Sequence, residues 1–378
     1  RVRGLPEFSG EVPLAALAEE IDTPGDGQIR GLVTVAGNPA LSAPNARRLD
    51  AALGSLEFMV AVDLYLNETS RHAHIVLPGT SALERDHYDL LLNALAVRNV
   101  ARYTRPLFEP GPGVRDDGRI MLDLAVGVAR RRRAYLSAAR AAAVRRVTPR
   151  RILAAAIRFG PHGKGLSPFG SGLTLGRLER RGTTIDLGAL EPGRLPKRLK
   201  TKGKRVHLAP TALLADVSRA EELLSEPTSD GSLLLITGRR QLRDNNSWMH
   251  NYERLMRGRD RCTLLVNPAD ADRLGLEDGA LATVSSRTGE VVVPVEVTDE
   301  IREGVVSLPH GYGHGRPGTR LRVANAHPGV AANDVTDETL LDELSGTTRM
   351  NGVPVTIQPA ERDPERVPAA ASHAYDTG

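Results

Sequence analysis

Six stretches carry side chains that could do chemistry. Gly37-Asn38-Pro39 follows an apolar run, where an open α/β sheet receives its ligands beyond the carboxyl ends of its strands. Gly37 would let a ligand approach the backbone, and Asn38 would offer an amide to a phosphate or a base. The same tripeptide is also an ordinary turn starter. Asp63 closes the next apolar run, and its carboxylate could take two hydrogen bonds from the amide edge of a guanine or hold a ribose hydroxyl. Asn67 and Thr69 could add contacts from the same loop, whereas a plain cap of the following turn would also need Asp63. Thr237-Gly238-Arg239-Arg240 ends another apolar run and leads into Asn245-Asn246-Ser247-Trp248-Met249-His250-Asn251. Glycine beside arginine suits a pyrophosphate, because backbone N–H groups can approach and a guanidinium forks onto the oxygens. Asn246 and Ser247 match the many donors and acceptors of a fused heterocycle; a polar surface loop anchored by a buried Trp248 is the plainer alternative. His310-Gly311-Tyr312-Gly313-His314-Gly315 looks at first like a metal tract. Two histidines four apart in a glycine loop lack the fixed face a helix provides, so a flexible loop facing a ligand, with His314 in contact, is the expectation. Asn333, ahead of the last strand, could bond a heterocycle edge.

The exclusions are as informative. A single cysteine, Cys262, rules out an internal disulfide framework or a cysteine-rich metal cluster in these 378 residues. No phosphate-binding P-loop, nucleophile elbow or GxGxxG turn occurs, so no catalytic residue and no metal ligand is assigned. Apolar runs stay below the ~18 residues that span a bilayer, and no leader pattern opens the chain, which makes a cytoplasmic protein the expectation. The net charge of +4 suits an anionic partner such as a phosphorylated cofactor or nucleic acid, although local arginine runs at 130–133 and the basic stretch 197–205 also fit solvated faces.

These residues need elements to hold them. Residues 1–128 alternate strand and helix signals: buried strands at 31–36, 58–62 and 74–78, and a helix over 45–56 with Asn45 as N-cap after Pro44. Short links between strand, helix and strand favour a parallel α/β sheet. Residues 129–228 read as a helical and loop-rich connector, with a helix over 134–156 interrupted near Pro149. Residues 229–360 hold short strands at 233–237, 263–267, 280–285, 290–297, 305–308 and 353–358, separated by Gly, Asp and Pro turns, as in a small β-barrel or sandwich. The tail, 361–378, is Pro-, Ala- and charge-rich and is expected to be disordered.

Taken in order, the motifs resemble the molybdopterin oxidoreductase family, the group of formate dehydrogenase, nitrate reductase and dimethyl sulfoxide reductase. Val35-Ala36-Gly37-Asn38-Pro39, Val62-Asp63 with Asn67-Glu68-Thr69, and Ile75-Val76-Leu77-Pro78 with Glu84 resemble the family's third domain. Thr237-Gly238-Arg239, Asn267-Pro268-Ala269-Asp270-Ala271, Leu274-Gly275-Leu276-Glu277-Asp278-Gly279 and the Asn333 region resemble its terminal dinucleotide-binding domain, a six-stranded double-psi barrel. The resemblance covers roughly residues 5–358. It implies a molybdopterin guanine dinucleotide carrying molybdenum or tungsten, with Asn38, Asp63 and Thr69 at its guanosine end. It implies two-electron redox of a small substrate such as formate or nitrate. Residue 1 is Arg, so the chain is expected to be processed or a piece of something longer; family members place their iron–sulfur and metal-ligand domains upstream, and without them the resemblance implies a fragment, or one of two polypeptides completing an enzyme that also needs an electron-transfer partner. His72 stands where the family commonly carries a small residue. A non-catalytic pterin-dinucleotide module is the alternative, and a nucleic-acid binder driven by the basic runs a more distant one.

Overall fold

The computed structural model describes residues 1–89, 92–131, 146–167, 169–193, 195–225, 232–238, 241–244 and 246–360. The chain divides into two compact units. One comprises residues 1–61, 65–76 and 209–378; the other comprises 62–64 and 77–208.

In the first unit, α1 (Leu17–Asp22), β1 (Gly31–Val35), α2 (Pro39–Ser42), α3 (Ala46–Gly54), β2 (Phe58–Val62) and β3 (Ile75–Leu77) form the α/β part. The three strands make a parallel sheet in the order β1-β2-β3. Helix α3 starts where the sequence requires: the Asn45 side chain accepts a hydrogen bond from Arg48 N at 3.3 Å and so satisfies one of the open amides of the first turn. Its buried positions, Ala46, Leu49, Ala52 and Leu53, recur at helical spacing and pack with Ile21, Ala40 and Met59 into one core. One expectation fails. Strand β1 is not buried, since Val33 and Val35 are about half exposed. An apolar run shows that a strand can be covered; what covers it is not encoded in the run itself.

The second unit contains β4 (His87–Tyr88), β5 (Arg98–Ala101), β6 (Tyr103–Thr104), α4 (Asp117–Arg131), α5 (Pro149–Phe159), α6 (Leu175–Arg181) and β7 (Ile185–Ala189). Its two small sheets pair β4 with β6 and β5 with β7. Ala101, Tyr103, Ile157, Leu173, Leu175 and Leu178 form its core. Residue 128, the expected first boundary, lies inside α4, and this unit takes residues on both sides of it. Pro149 opens a helix instead of interrupting one: it sits in the first turn of α5, where its missing N–H costs nothing, and the Thr148 side chain caps Arg151 N. The expected helical residues 134–145 and arginines 132–133 lie outside the described residues, as does the tail 361–378.

The first unit is completed by β8 (Leu233–Ile236), β9 (Leu264–Val266), α7 (Pro268–Leu274), β10 (Leu281–Ser285), β11 (Glu290–Val297), β12 (Val305–Ser307) and β13 (Asn351–Pro359). The six strands close into a barrel in the order β10-β11-β9-β12-β8-β13. Pairs β9/β11 and β8/β12 run parallel; β10/β11, β10/β13, β9/β12 and β8/β13 run antiparallel. Alternate residues point inward, so Leu235, Leu264, Val266, Val284, Val293 and Val306 are fully buried. Closure leaves no edge strand to be protected. Asn267 caps α7 through Ala269 N, and Gly275, with φ +66°, ends it in the left-handed region.

Polar bonds tie α3 to the barrel's last loop. Asn45 N donates to Thr336 O at 2.9 Å, Asn45 Nδ2 to Glu338 Oε2 at 2.9 Å, and Arg48 Nη1 to Glu338 Oε1 at 3.0 Å. Arg287 completes the knot by pairing with Asp337 and Glu338.

Candidate functional site

The loop after β1 does not leave its amide free. Asn38 Nδ2 donates to Glu68 Oε2 at 2.8 Å, and Asn38 Oδ1 accepts from Thr69 Oγ1 at 2.8 Å. Thr69 Oγ1 also accepts from Ala40 N at 3.0 Å, which seats the start of α2. Asn67 builds an Asx turn: its Oδ1 accepts from Thr69 N at 3.0 Å and Ser70 N at 2.9 Å. Asn67 and Thr69 are therefore buried organisers of the 65–70 loop. A Cβ placed on Gly37 would meet nothing nearer than 3.7 Å.

The glycine loop from the barrel brings His314 onto this frame. Gly313 N and His314 N both donate to Pro328 O, and Gly313, at φ +107°, passes so close to Ala331 that a Cβ there would lie 2.5 Å from the Ala331 Cβ. His314 Nδ1 then lies 2.9 Å from Glu68 Oε1, and His314 Nε2 lies 2.9 Å from Nδ1 of His250. The His250 ring stacks on Tyr312 with centroids 4.2 Å apart. Glu68 and His250 are wholly buried and His314 nearly so. Burial alone would raise the Glu68 carboxyl; the hydrogen bonds from His314 and Asn38 outweigh it and hold the group below the ordinary glutamate range. Glu68 and His250 escaped the sequence reading because positions 68, 250 and 314 share no local spacing. The loop expected to be flexible carries a buried, doubly bonded imidazole.

Beside His250, the barrel offers a different surface. Thr237 is fixed by Asn351 Oδ1 on its N–H and by Met350 O on its hydroxyl, at 3.1 and 2.8 Å. Gly238 is exposed, with open space where a side chain would go, and its carbonyl accepts from His310 N at 3.4 Å. Asn246 and Ser247 are partly exposed, and among the described residues their side chains make no hydrogen bond. An added Cβ on Gly311 would touch both His250 and Ser247, so the histidine loop and the amide loop are neighbours. Trp248 is half exposed, so it does not anchor that loop from a core. Arg239 and Asn245 lie outside the described residues.

Asn333 is placed elsewhere. It is fully buried, donates from Nδ2 to Leu41 O at 2.7 Å and accepts from Thr336 Oγ1 at 2.8 Å, joining the barrel to α2. Asp63 follows β2 at intermediate exposure, in the other unit. His72 bonds Asp50 at 2.7 Å, and Arg71 and Arg316 share the same carboxylate. Desolvation would raise Asp50, but these partners bring it down to about 2. Among the described residues no helix is long and apolar enough to cross a membrane.

The structure thus brings together Asn38, Thr69 and His314 in one polar knot, with Ser247 beside His250 and Thr237-Gly238 at a strand end adjoining the same histidine loop. Comparison with known proteins gives this arrangement a family. Residues 9–125 match the molybdopterin oxidoreductase model, and residues 233–354 match the molydopterin dinucleotide binding domain model. The assimilatory nitrate reductase catalytic subunit of Bacillus subtilis (strain 168) is 29% identical over 304 residues, 77% of this chain and 39% of the relative. The F420-dependent formate dehydrogenase subunit alpha of Methanocaldococcus jannaschii is 26% identical over 332 residues, 85% of this chain and 42% of the relative. Acetylene hydratase from Pelobacter acetylenicus shares the fold with a TM-score of 0.66 at 18% identity, over 92% of this chain and 47% of that one. The chain spans about two fifths of the length of these curated relatives. With both models matched in turn along it, the chain belongs to the molybdopterin oxidoreductase family.

Proposed function

We propose that this chain is the cofactor-gripping part of a molybdenum or tungsten oxidoreductase that binds molybdopterin guanine dinucleotide and acts on a small substrate such as nitrate or formate. The observation that carries this is the open strand end at Gly238, which bonds the histidine loop that Ser247 adjoins, together with the Asn246 amide and Ser247 hydroxyl, which make no hydrogen bond among the described residues. This donor set fits the group. Unobstructed backbone suits a pyrophosphate, and paired amide and hydroxyl suit the polar edge of a pterin. Arg239, next along the chain, would add a guanidinium to the same phosphates. Asp63 would accept from a guanine, from the loop beyond β2. When bound, the metallated pterin supplies the two-electron chemistry, and the protein supplies grip, orientation and electrostatics.

Within this reading Asn38, Asn67, Thr69 and Asn333 hold the loops that hold the cofactor. The barrel takes the double-psi form of a dinucleotide-binding domain. The metal ligand, the iron–sulfur cluster and the electron-transfer partner come from polypeptide beyond these residues. The relatives' greater length equally suits a pterin-dinucleotide module that works only with a companion.

The test is the metal and guanine nucleotide content of the chain purified with its companion polypeptide. Gly238→Asp puts an anion into open space without a steric cost, and Arg239→Ala removes the cation. Each should lower molybdenum and releasable GMP by tenfold or so, about 1.4 kcal/mol of binding, while leaving the melting temperature in place. Unchanged metal and GMP in both variants would refute the assignment.

A further inference from the structure

We propose that Glu68 is a positioning residue that sets the direction of a buried proton wire running through His314 to His250. The line of bonds begins at a donor that cannot turn. Ala40 N–H donates to Thr69 Oγ1, and the Thr69 hydroxyl donates to Asn38 Oδ1. That fixes the amide of Asn38 with its NH₂ toward Glu68 Oε2, and leaves Oε1 to accept from His314 Nδ1–H. A neutral His314 then has a lone pair on Nε2. Only one hydrogen fits in the 2.9 Å gap to His250, so His250 must donate from Nδ1, and its own Nε2 is an acceptor. The Glu68 carboxylate, which can only accept, thereby holds both imidazoles in the Nδ1–H form.

One proton reverses the line. Uptake at His250 Nε2 breaks the His250 Nδ1–H bond, forms His314 Nε2–H, and leaves His314 as an imidazolium against the Glu68 carboxylate. Charge and protons balance, and no heavy atom has to move. Tyr312 stacks on His250, Ser247 and Gly311 adjoin it, and Asn38 and Thr69 flank Glu68. Arg71 reaches only the Glu68 carbonyl, and its charge is matched by Asp50. Resting on the function proposed above, the wire puts a proton store beside the loops that receive the cofactor, where two-electron chemistry releases or takes up protons.

The test uses the full chain labelled with ¹⁵N-histidine, at about pH 8, roughly 1.5 units above the ordinary imidazole value. Two-bond ¹⁵N–¹H correlations, with His250→Gln and His314→Gln for assignment, report which nitrogen carries the proton. The wild type should show Nδ1–H on both His314 and His250. In Glu68→Gln one carboxylate oxygen becomes NH₂. Turning that NH₂ toward Asn38 would set two donors face to face, so it turns to His314, and both rings should switch to Nε2–H. A merely structural Glu68 would leave the tautomers unmoved. Nε2–H on either ring of the wild type, or no switch in a folded Glu68→Gln, overturns the proposal; should that variant not fold, the wild-type tautomers decide alone. Predicted tautomers in a chain that takes up no guanylated pterin would sustain the wire and dismiss the cofactor reading.

Discussion

Replacing Asn333 with alanine separates two roles that the sequence left confounded, a contact to a ligand and a pin between layers. The side chain is fully buried, and its two bonds end on Leu41 O and Thr336 Oγ1, both inside the first unit. Truncation strands a buried carbonyl and leaves the Thr336 hydroxyl only its longer bond to Asn333 O, at 3.4 Å. Each unsatisfied group costs ~1–3 kcal/mol, and relaxation recovers part of the sum, so we expect a loss of ~2–4 kcal/mol. At ~2–4 °C per kcal/mol for a unit of this size, the calorimetric transition should fall by roughly 4–16 °C. Asn333→Asp should be at least as damaging, because it sets an anion against the Leu41 carbonyl in a buried place. Cofactor content should fall only as far as the folded fraction does. A melting temperature within ~1 °C of the wild type, together with lost cofactor, would show that Asn333 meets the ligand and that the pin is illusory.

Three further outcomes follow from the packing. Asp50 and Asp337 are both held at about 2, below their unfolded values, so their contribution to stability is present above ~pH 4 and is lost as pH falls toward 2. Discounted for the exposure of Arg287, the two together should cost ~1–3 kcal/mol in urea midpoints measured between pH 5 and 2.5, and a flat profile would contradict the pairing. Gly313→Ala forces a side chain at φ +107° onto Ala331 and should cost ~1–3 kcal/mol by thermal unfolding, with the His314 signals displaced; a silent variant would mean that this turn is not strained. Leu264→Ala, at a fully buried position facing the barrel interior, should cost ~2–5 kcal/mol, and a loss below ~1 kcal/mol would mean that the barrel collapses freely around the gap.

The barrel was legible because its information is local. Alternating apolar residues between Gly, Asp and Pro turns marked Glu290–Val297 to the residue and the other barrel strands to within two residues. The Asn45 cap and Phe58–Val62 were equally readable, one from its place before a periodic run and the other from an unbroken apolar stretch. The site was legible only as a neighbourhood. Asn38, Asn67, Thr69 and Asn333 are polar residues at strand ends, where a ligand contact and a loop-holding bond need the same atoms. For Asn38, Thr69 and Asn333 the choice depends on partners 30 to nearly 300 residues away, whereas Asn67 closes a local turn. The Glu68–His314–His250 line left no trace in spacing at all, and Val33 and Val35 show the converse, local apolarity without local cover.

The knot at α3 has a consequence for how the chain is made. Asn45 and Glu338 are 293 positions apart, yet they bond directly. At ~5–20 residues per second, a ribosome needs roughly 15–60 s to travel from one to the other. Throughout that interval α3 can form, but its capping asparagine and Arg48 have no Glu338 to meet. The α/β part therefore waits, half tied, for the last loop of the barrel to emerge, and chaperone occupancy during synthesis should fall only once that loop is free.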